Sequence, residues 1–306
     1  MMQTTIDLYF ATPRKLPRAN ELRGNVVVLD IAFASEAGGK SFEETTLPLI
    51  DGLGSRLVAW VDHHDSSYHA QYAQDARFVL STKAEHGACP EMITPEVVAR
   101  TGRVDTVVCH GDFDGLVSAA KWMRGGIECY PGSDDDARAI DTRLGTPGPV
   151  AQRIDRALRA RPRDHALFGM IVRHLATGLS DASLWQHIDE AGAALLPKET
   201  EARRLAKDYE RLEPSIMIVD VTNRKGAYDK TLLLLMGQER ARVAVVIEGD
   251  NVTFAAPFNS GINFLELFGI SGGMPTVISL QRSKLTSALV ALGVKREDAM
   301  RFETSG

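Results

Sequence analysis

Two short clusters of acids and histidines carry the chemistry in this sequence: Asp62-His63-His64, and the run His110-Gly111-Asp112-Phe113-Asp114-Gly115. Each follows a stretch of β-forming apolar residues, Leu57–Val61 and Thr106–Cys109 respectively. The carboxyl ends of strands are where an open α/β sheet gathers its ligand-binding groups. Three histidines and three aspartates at two such places exceed what packing explains. Imidazole and carboxylate, with no thiolate in either motif, suit Mn²⁺ or a similar divalent ion. The expected chemistry is therefore metal-assisted handling of phosphate.

In extended backbone, residues two apart share a side. His110, Asp112 and Asp114 converge if the chain stays extended past its strand, and Gly115 then frees the backbone to turn into a helix. A carboxylate beside a ligating histidine fixes its tautomer and ring orientation, a role open to Asp62. Two further acids join the set. Asp30 ends the run Val26-Val27-Val28-Leu29, where it serves as a ligand or as a helix N-cap. Asp181, after Gly178-Leu179-Ser180, fits a ligand or a cap for a helix expected from 183.

The elements that must position these residues alternate between periods of two and of 3.6. Strands are expected over 4–10, Asn25–Leu29, Leu57–Val61, Asp105–Cys109 and Ile127–Tyr130, and helices over 41–54, 89–101 and 116–123. Pro131–Asp136 reads as a solvated acidic loop, followed by helices over 150–160, 165–177 and 183–195. The charge-rich segment Pro197–Leu212 reads as an exposed helix. Beyond Pro214 strands return at Ile216–Val221, Arg242–Ile247, Val252–Ala256 and Thr276–Leu280, with helices over 229–238 and 283–292. The expected fold class is α/β, a mainly parallel sheet flanked by helices with a second, smaller α/β domain. The expected division is a metal-binding catalytic domain over 1–196, a helical connector over 197–213 and a substrate-binding domain over 214–306.

Composition narrows the function further. The chain has 306 residues, 44% of them apolar, enough to build two cores. With 35 Lys and Arg against 40 Asp and Glu, the net charge of -5 gives no global attraction to long nucleic acid. A short or small anionic substrate suits that balance. The odd number of cysteines, Cys89, Cys109 and Cys129, without CxxC spacing, argues against a disulfide framework and for a reducing, cytoplasmic setting. No apolar run is long enough to span a membrane, and the N-terminus lacks the pattern of a signal peptide.

The combination resembles the DHH phosphoesterase superfamily. The residues that carry the resemblance are Asp30 in Val-Leu-Asp-Ile-Ala-Phe, the Asp62-His63-His64 signature, His110-x-Asp112-x-Asp114-Gly115-x-x-Ser118-Ala119, and Asp181. The resemblance implies two divalent ions, Mn²⁺ with Mg²⁺ or Co²⁺ as substitutes, and hydrolysis of phosphoester or phosphoanhydride bonds. It places one ion on His110, Asp112 and Asp30, and the other on Asp114, a bridging Asp30, His63 and Asp181. His64 would contact the scissile phosphate, with Asp62 orienting the histidines. The chain departs from the family in running the Asp-His-His motif before the His-Asp-Asp motif, as a circular permutation would.

Residues 214–306 resemble the DHHA1-type substrate-binding domain of the same superfamily. Ser271, Gly272 and Gly273 stand in its Gly-rich stretch, with Met274 where many members have histidine, and Asn259-Ser260 where an Arg-Ser pair is common. The implied function is hydrolysis of phosphodiester bonds in short oligonucleotides or small nucleotides, in the manner of an exonuclease. The alternatives are a phosphomonoesterase, a pyrophosphatase or polyphosphatase, and a non-catalytic nucleic-acid-binding scaffold. An oligomer stays open.

Overall fold

The computed structural model describes residues 6–35 and 39–302. Two compact units divide the chain, the first reaching Ala34 and running from Lys40 to Ala194, the second running from Leu195. The fold is α/β, with a five-stranded parallel sheet in the first unit and a five-stranded mixed sheet in the second, smaller unit.

In the first unit β1 (Asp7–Ala11), β2 (Val26–Leu29), β3 (Leu57–Asp62), β4 (Phe78–Leu80) and β5 (Thr106–His110) lie in the order β1-β5-β2-β3-β4, every neighbouring pair parallel. The central strands are unbroken apolar runs because both faces are covered. Val27, Leu29, Ala59, Val61, Val107 and Cys109 face α2 (Phe113–Met123), α4 (Pro149–Ala160), α5 (His165–Ala176) and α6 (Leu184–Ala193). Val26, Val28, Trp60 and Val108 pack on the other face with α1 (Phe42–Leu53). The chain progresses outward from β2 to β3 to β4, then returns across the sheet to place β5 on the opposite side of β2. That reversal makes a topological switch point at the carboxyl ends of β2 and β5, the position at which open α/β sheets bind ligands.

Three local expectations give way to specific side chains. Ile127–Tyr130 forms no strand, because Gly125 and Gly126 turn the chain with φ of 72° and 85° and the Cys129 amide is taken by Ser133 Oγ. The acidic run 134–136 is the first turn of α3 (Ser133–Thr142) instead of a loop; carboxylates there complement the helix dipole. The span 89–101 divides into a 3₁₀ turn (Cys89–Met92) and a short helix (Pro95–Ala99), with Pro95 at its start. Residues 4 and 5 of the first expected strand lie outside the described residues.

The second unit is a mixed sheet of β6 (Glu210–Leu212), β7 (Ile216–Asp220), β8 (Val243–Glu248), β9 (Asn251–Ala255) and β10 (Val277–Gln281), in the order β10-β9-β8-β7-β6. Only β7 and β8 are parallel. Alternate residues serve two cores: Ile218, Val245 and Phe254 face one side, Val219, Val246 and Ala255 the other. The segment 197–212, read as an exposed connector, contributes to the second core. Ala202 and Leu205 of α7 (Leu196–Leu205) pack against Leu233 of α8 (Lys230–Gln238), and the last three residues form β6. No helix among the described residues is long and apolar enough to cross a membrane.

Candidate metal centre

Three adjacent strands deliver the acid–histidine clusters to one rim. Asp30 follows β2 in the left-handed region at φ 56°, a conformation that Asp tolerates better than most residues and that costs of order 1 kcal/mol. Its amide donates to the Val61 carbonyl at 2.9 Å, which holds the turn against β3. The carboxylate is buried, and Oδ1 has no hydrogen-bonding partner although His63 Nε2 lies 3.2 Å away. Burial, then the neighbouring Asp114 and Asp112, raise its pKa well above the usual carboxylate range.

Asp62 and His64 share one side of the extended end of β3, as a period of two requires. Asp62 Oδ1 accepts from His64 Nδ1 at 2.8 Å, so Nδ1 carries the proton and Nε2 is left for other work. Burial works against a charged Asp62, but the His64 partnership prevails and its pKa is lowered. His63 points the opposite way and is fully buried, with Nδ1 2.9 Å from the His86 carbonyl. A carbonyl only accepts, so Nδ1 is the protonated nitrogen and Nε2 faces the acids. Burial opposes a second proton on His63, yet Asp114 and Asp30 push its pKa up to about 11.

Past β5, which ends at His110, the chain bends, with Asp112 itself in an extended conformation (φ -117°, ψ -176°). His110 Nδ1 and Asp112 Oδ2 consequently meet at 2.8 Å. Asp112 also accepts the Gly115 amide at 3.0 Å as the N-cap of α2, which starts the helix at Phe113, three residues earlier than the sequence pattern suggests. Asp114 therefore arrives on the first helical turn, not on extended chain. Its oxygens lie 3.1 and 3.2 Å from the Cys89 amide, and Oδ2 lies 3.2 Å from His63 Nε2. Gly115 is required for space: a Cβ there would lie 2.5 Å from the His110 carbonyl oxygen. Burial disfavours charge on His110, but Asp112 raises its pKa to about 9. Burial likewise disfavours charge on Asp112, and His110 draws its pKa down.

Three donor groups result, in each of which the ligand atoms lie within 4.8 Å of one another: Asp30, His63 and His64; Asp30, His110 and Asp112; and His63, Asp114 and Asp141. Asp30 belongs to two of them, as a bridging carboxylate would. A buried carboxylate oxygen with no partner, ringed by imidazoles and further acids, is a donor set suited to a divalent cation.

The structure does not bring Asp181 into any of these groups. It is exposed, and its Oδ1 accepts from the Ser183 amide at 3.0 Å and hydroxyl at 2.6 Å. Asn259, Ser260, Ser271, Gly272 and Gly273 belong to the second unit. There Asn259 is exposed, Ser260 Oγ accepts the Ile262 amide at 3.2 Å, and Gly273 takes a φ of 130°.

Two charged residues of the centre escaped the sequence reading. Asp141, near the end of α3, joins His63 and Asp114. Lys83 is buried with them: its Nζ lies 2.8 Å from His63 Nε2 and is hydrogen-bonded to Asp141. Burial works against the ammonium, but Asp141, Asp114 and Asp30 raise its pKa. The only signal for Lys83 was its place just after an unrecognised strand, β4.

No protein-family model and no curated protein matches the chain. Among solved structures it is similar to PggH, a pGpG-specific phosphodiesterase of Vibrio cholerae, with 13% sequence identity and a TM-score of 0.36. The match spans 55% of this chain and 66% of PggH, just under two thirds of its length.

Proposed function

We propose that this chain is a divalent-metal-dependent phosphoesterase that hydrolyses phosphodiester bonds of short oligonucleotides or small nucleotides. The observation that carries the reading is the buried Asp30 Oδ1, without a hydrogen-bond partner, on a carboxylate within ligand distance of His63, His64, His110 and Asp112. Mn²⁺ is the first candidate ion, with Mg²⁺ or Co²⁺ as substitutes. Asp30, His110 and Asp112 would hold one ion. Donors of the right kind for a second are His63, Asp114 and Asp141, and two of them, His63 and Asp141, already hold the Lys83 ammonium.

A bound ion would supply a Lewis acid for phosphate oxygens and an available hydroxide near neutral pH. The chain's own groups do the rest. Asp30, within ligand distance of all three histidines, would be the carboxylate they share toward the cation. Asp62 holds the His64 ring by Nδ1, leaving Nε2 for contact with a phosphoryl oxygen that gains charge at the transition state. Asp112, anchored on the Gly115 amide, keeps the His110 ring in place. A net charge of -5 favours small substrates over long nucleic acid. Asn259, Ser260, Ser271, Gly272 and Gly273 are assigned to substrate contact, so their substitution should raise KM with little change in kcat.

The purified chain with Mn²⁺ should cleave bis-p-nitrophenyl phosphate, and EDTA, Asp30→Ala or Asp112→Ala should each reduce the rate at least ~100-fold. Cleavage indifferent to all three would overturn the assignment. A panel of dinucleotides, longer single strands, nucleoside monophosphates and pyrophosphate then fixes the substrate class; preference for monoesters or pyrophosphate would replace the diesterase reading.

A further inference from the structure

The loop after β4 is built to drive a lysine into the metal centre. Ser81 continues the strand by donating its amide to the Asp62 carbonyl at 3.0 Å. Glu85 then ties the turn, its Oε2 accepting from Ser81 Oγ at 2.7 Å and from the amide and hydroxyl of Thr82 at 3.2 and 3.1 Å. The Lys83 amide donates to Asp65 at 3.3 Å. Further along, the loop supplies the His86 carbonyl that fixes His63 and the Cys89 amide that meets Asp114. The result is a lysine side chain with 1% exposure, among the largest fully buried side chains of the protein, in a position where lysine is almost never found without a compensating partner.

Its ammonium has the chemistry of a cation in a ligand cage. Nζ lies 2.8 Å from His63 Nε2, the nitrogen whose lone pair would ligate a metal, and is hydrogen-bonded to Asp141, with Asp114 Oδ2 3.2 Å from the same imidazole nitrogen. A divalent ion bound to His63 would sit close to Nε2, about 2.0–2.1 Å away in the case of zinc. It would then occupy almost the same space as the ammonium, and the two positive charges would repel at contact distance. Among the described residues, no lysine or arginine is hydrogen-bonded to the Asp30, His110 and Asp112 group.

We propose that the Lys83 ammonium stands in for one of the two cations, so that the chain binds a single divalent ion, at Asp30, His110 and Asp112. Lys83 is a positioning residue: it neutralises Asp114 and Asp141, holds His63 and, being buried, does not touch substrate. The inference rests on the phosphoesterase reading of the same centre, from which it departs in the number of ions.

Metal stoichiometry tests it without reference to turnover. Metal-free protein titrated with Mn²⁺ by calorimetry, and assayed for bound metal after gel filtration, should take up one equivalent per chain. The electron paramagnetic resonance spectrum should be that of an isolated Mn²⁺. Lys83→Met, which keeps most of the side-chain stem, should take up a second equivalent and show the exchange-coupled spectrum of a Mn²⁺ pair. Should that variant not fold, the wild-type titration decides alone. Two equivalents and a coupled spectrum in wild-type protein would overturn the proposal while leaving the phosphoesterase reading intact. A variant that folds but still binds one would also overturn it. No bound metal at all would remove both.

Discussion

Gly115→Ala separates the geometry of the centre from the stability of the fold. A Cβ at this position would lie 2.5 Å from the His110 carbonyl oxygen and 2.9 Å from both its carbonyl carbon and Cβ. Ordinary contact between such atoms is about 3.5 Å. The first turn of α2 must therefore retreat from the end of β5 by roughly 0.5–1 Å. The overpacking costs ~1–3 kcal/mol, offset by ~1 kcal/mol from alanine's better helix propensity, for a net loss of about 0–2 kcal/mol. That is a fall in Tm of a few degrees in a unit of this size. The same movement separates Asp112 and Asp114 from His110, and a misplacement near 1 Å is enough to cost ~100-fold in rate. Steady-state hydrolysis of bis-p-nitrophenyl phosphate with Mn²⁺, alongside a circular dichroism melt, measures both quantities. Gly192→Ala, whose Cβ finds its nearest neighbour at 3.5 Å, is the control and should leave the rate unchanged. A Gly115→Ala protein that keeps its rate within threefold would show that close packing of helix against strand does not set the spacing of these ligands.

Three other outcomes follow from the same geometry. Asp62→Asn removes the carboxylate that holds the His64 ring and should cost 10- to 100-fold in kcat/KM, read by the same assay; an unchanged value would take Asp62 out of the mechanism. Asp181→Ala, at an exposed carboxylate that accepts from Ser183, should leave both activity and Mn²⁺ affinity within twofold of wild type; a large loss would restore Asp181 as a ligand. In EDTA, the raised pKa of His110, about 9 against an ordinary 6.5, means that the folded state holds a proton the unfolded state releases. That contribution is complete below about pH 6.5 and fades as pH climbs through 9, so the urea midpoint of metal-free protein should fall between pH 6 and pH 9. A midpoint that rises over this range would contradict the assignment.

The strands and the two motifs were legible because each rests on local information. Val26–Leu29, Leu57–Val61 and Thr106–Cys109 are apolar on both faces, as strands covered on both sides must be. The order of those strands was not legible: nothing local says that β5 returns across the sheet to lie beside β2, and that reversal brings His110 to Asp30. Asp114 was expected beside His110 on extended chain, whereas capping by Asp112 starts the helix at once and sets Asp114 beside His63. Asp181 resembled a ligand by its place after an apolar segment, yet its carboxylate is spent on Ser183. Lys83 and Asp141 were invisible because lysine and a late-helix aspartate are ordinary surface residues in sequence. Only the loop between β4 and the Cys89 turn, fixed by Glu85 and Asp65, turns that lysine inward.

Anomalous diffraction from crystals grown with Mn²⁺ tests the central claim most directly. The account predicts a peak at the carboxyl ends of β2 and β5, within coordination distance of Asp30, His110 and Asp112. A protein saturated with Mn²⁺ that shows no peak there, or one only at sites remote from Asp30, would contradict it.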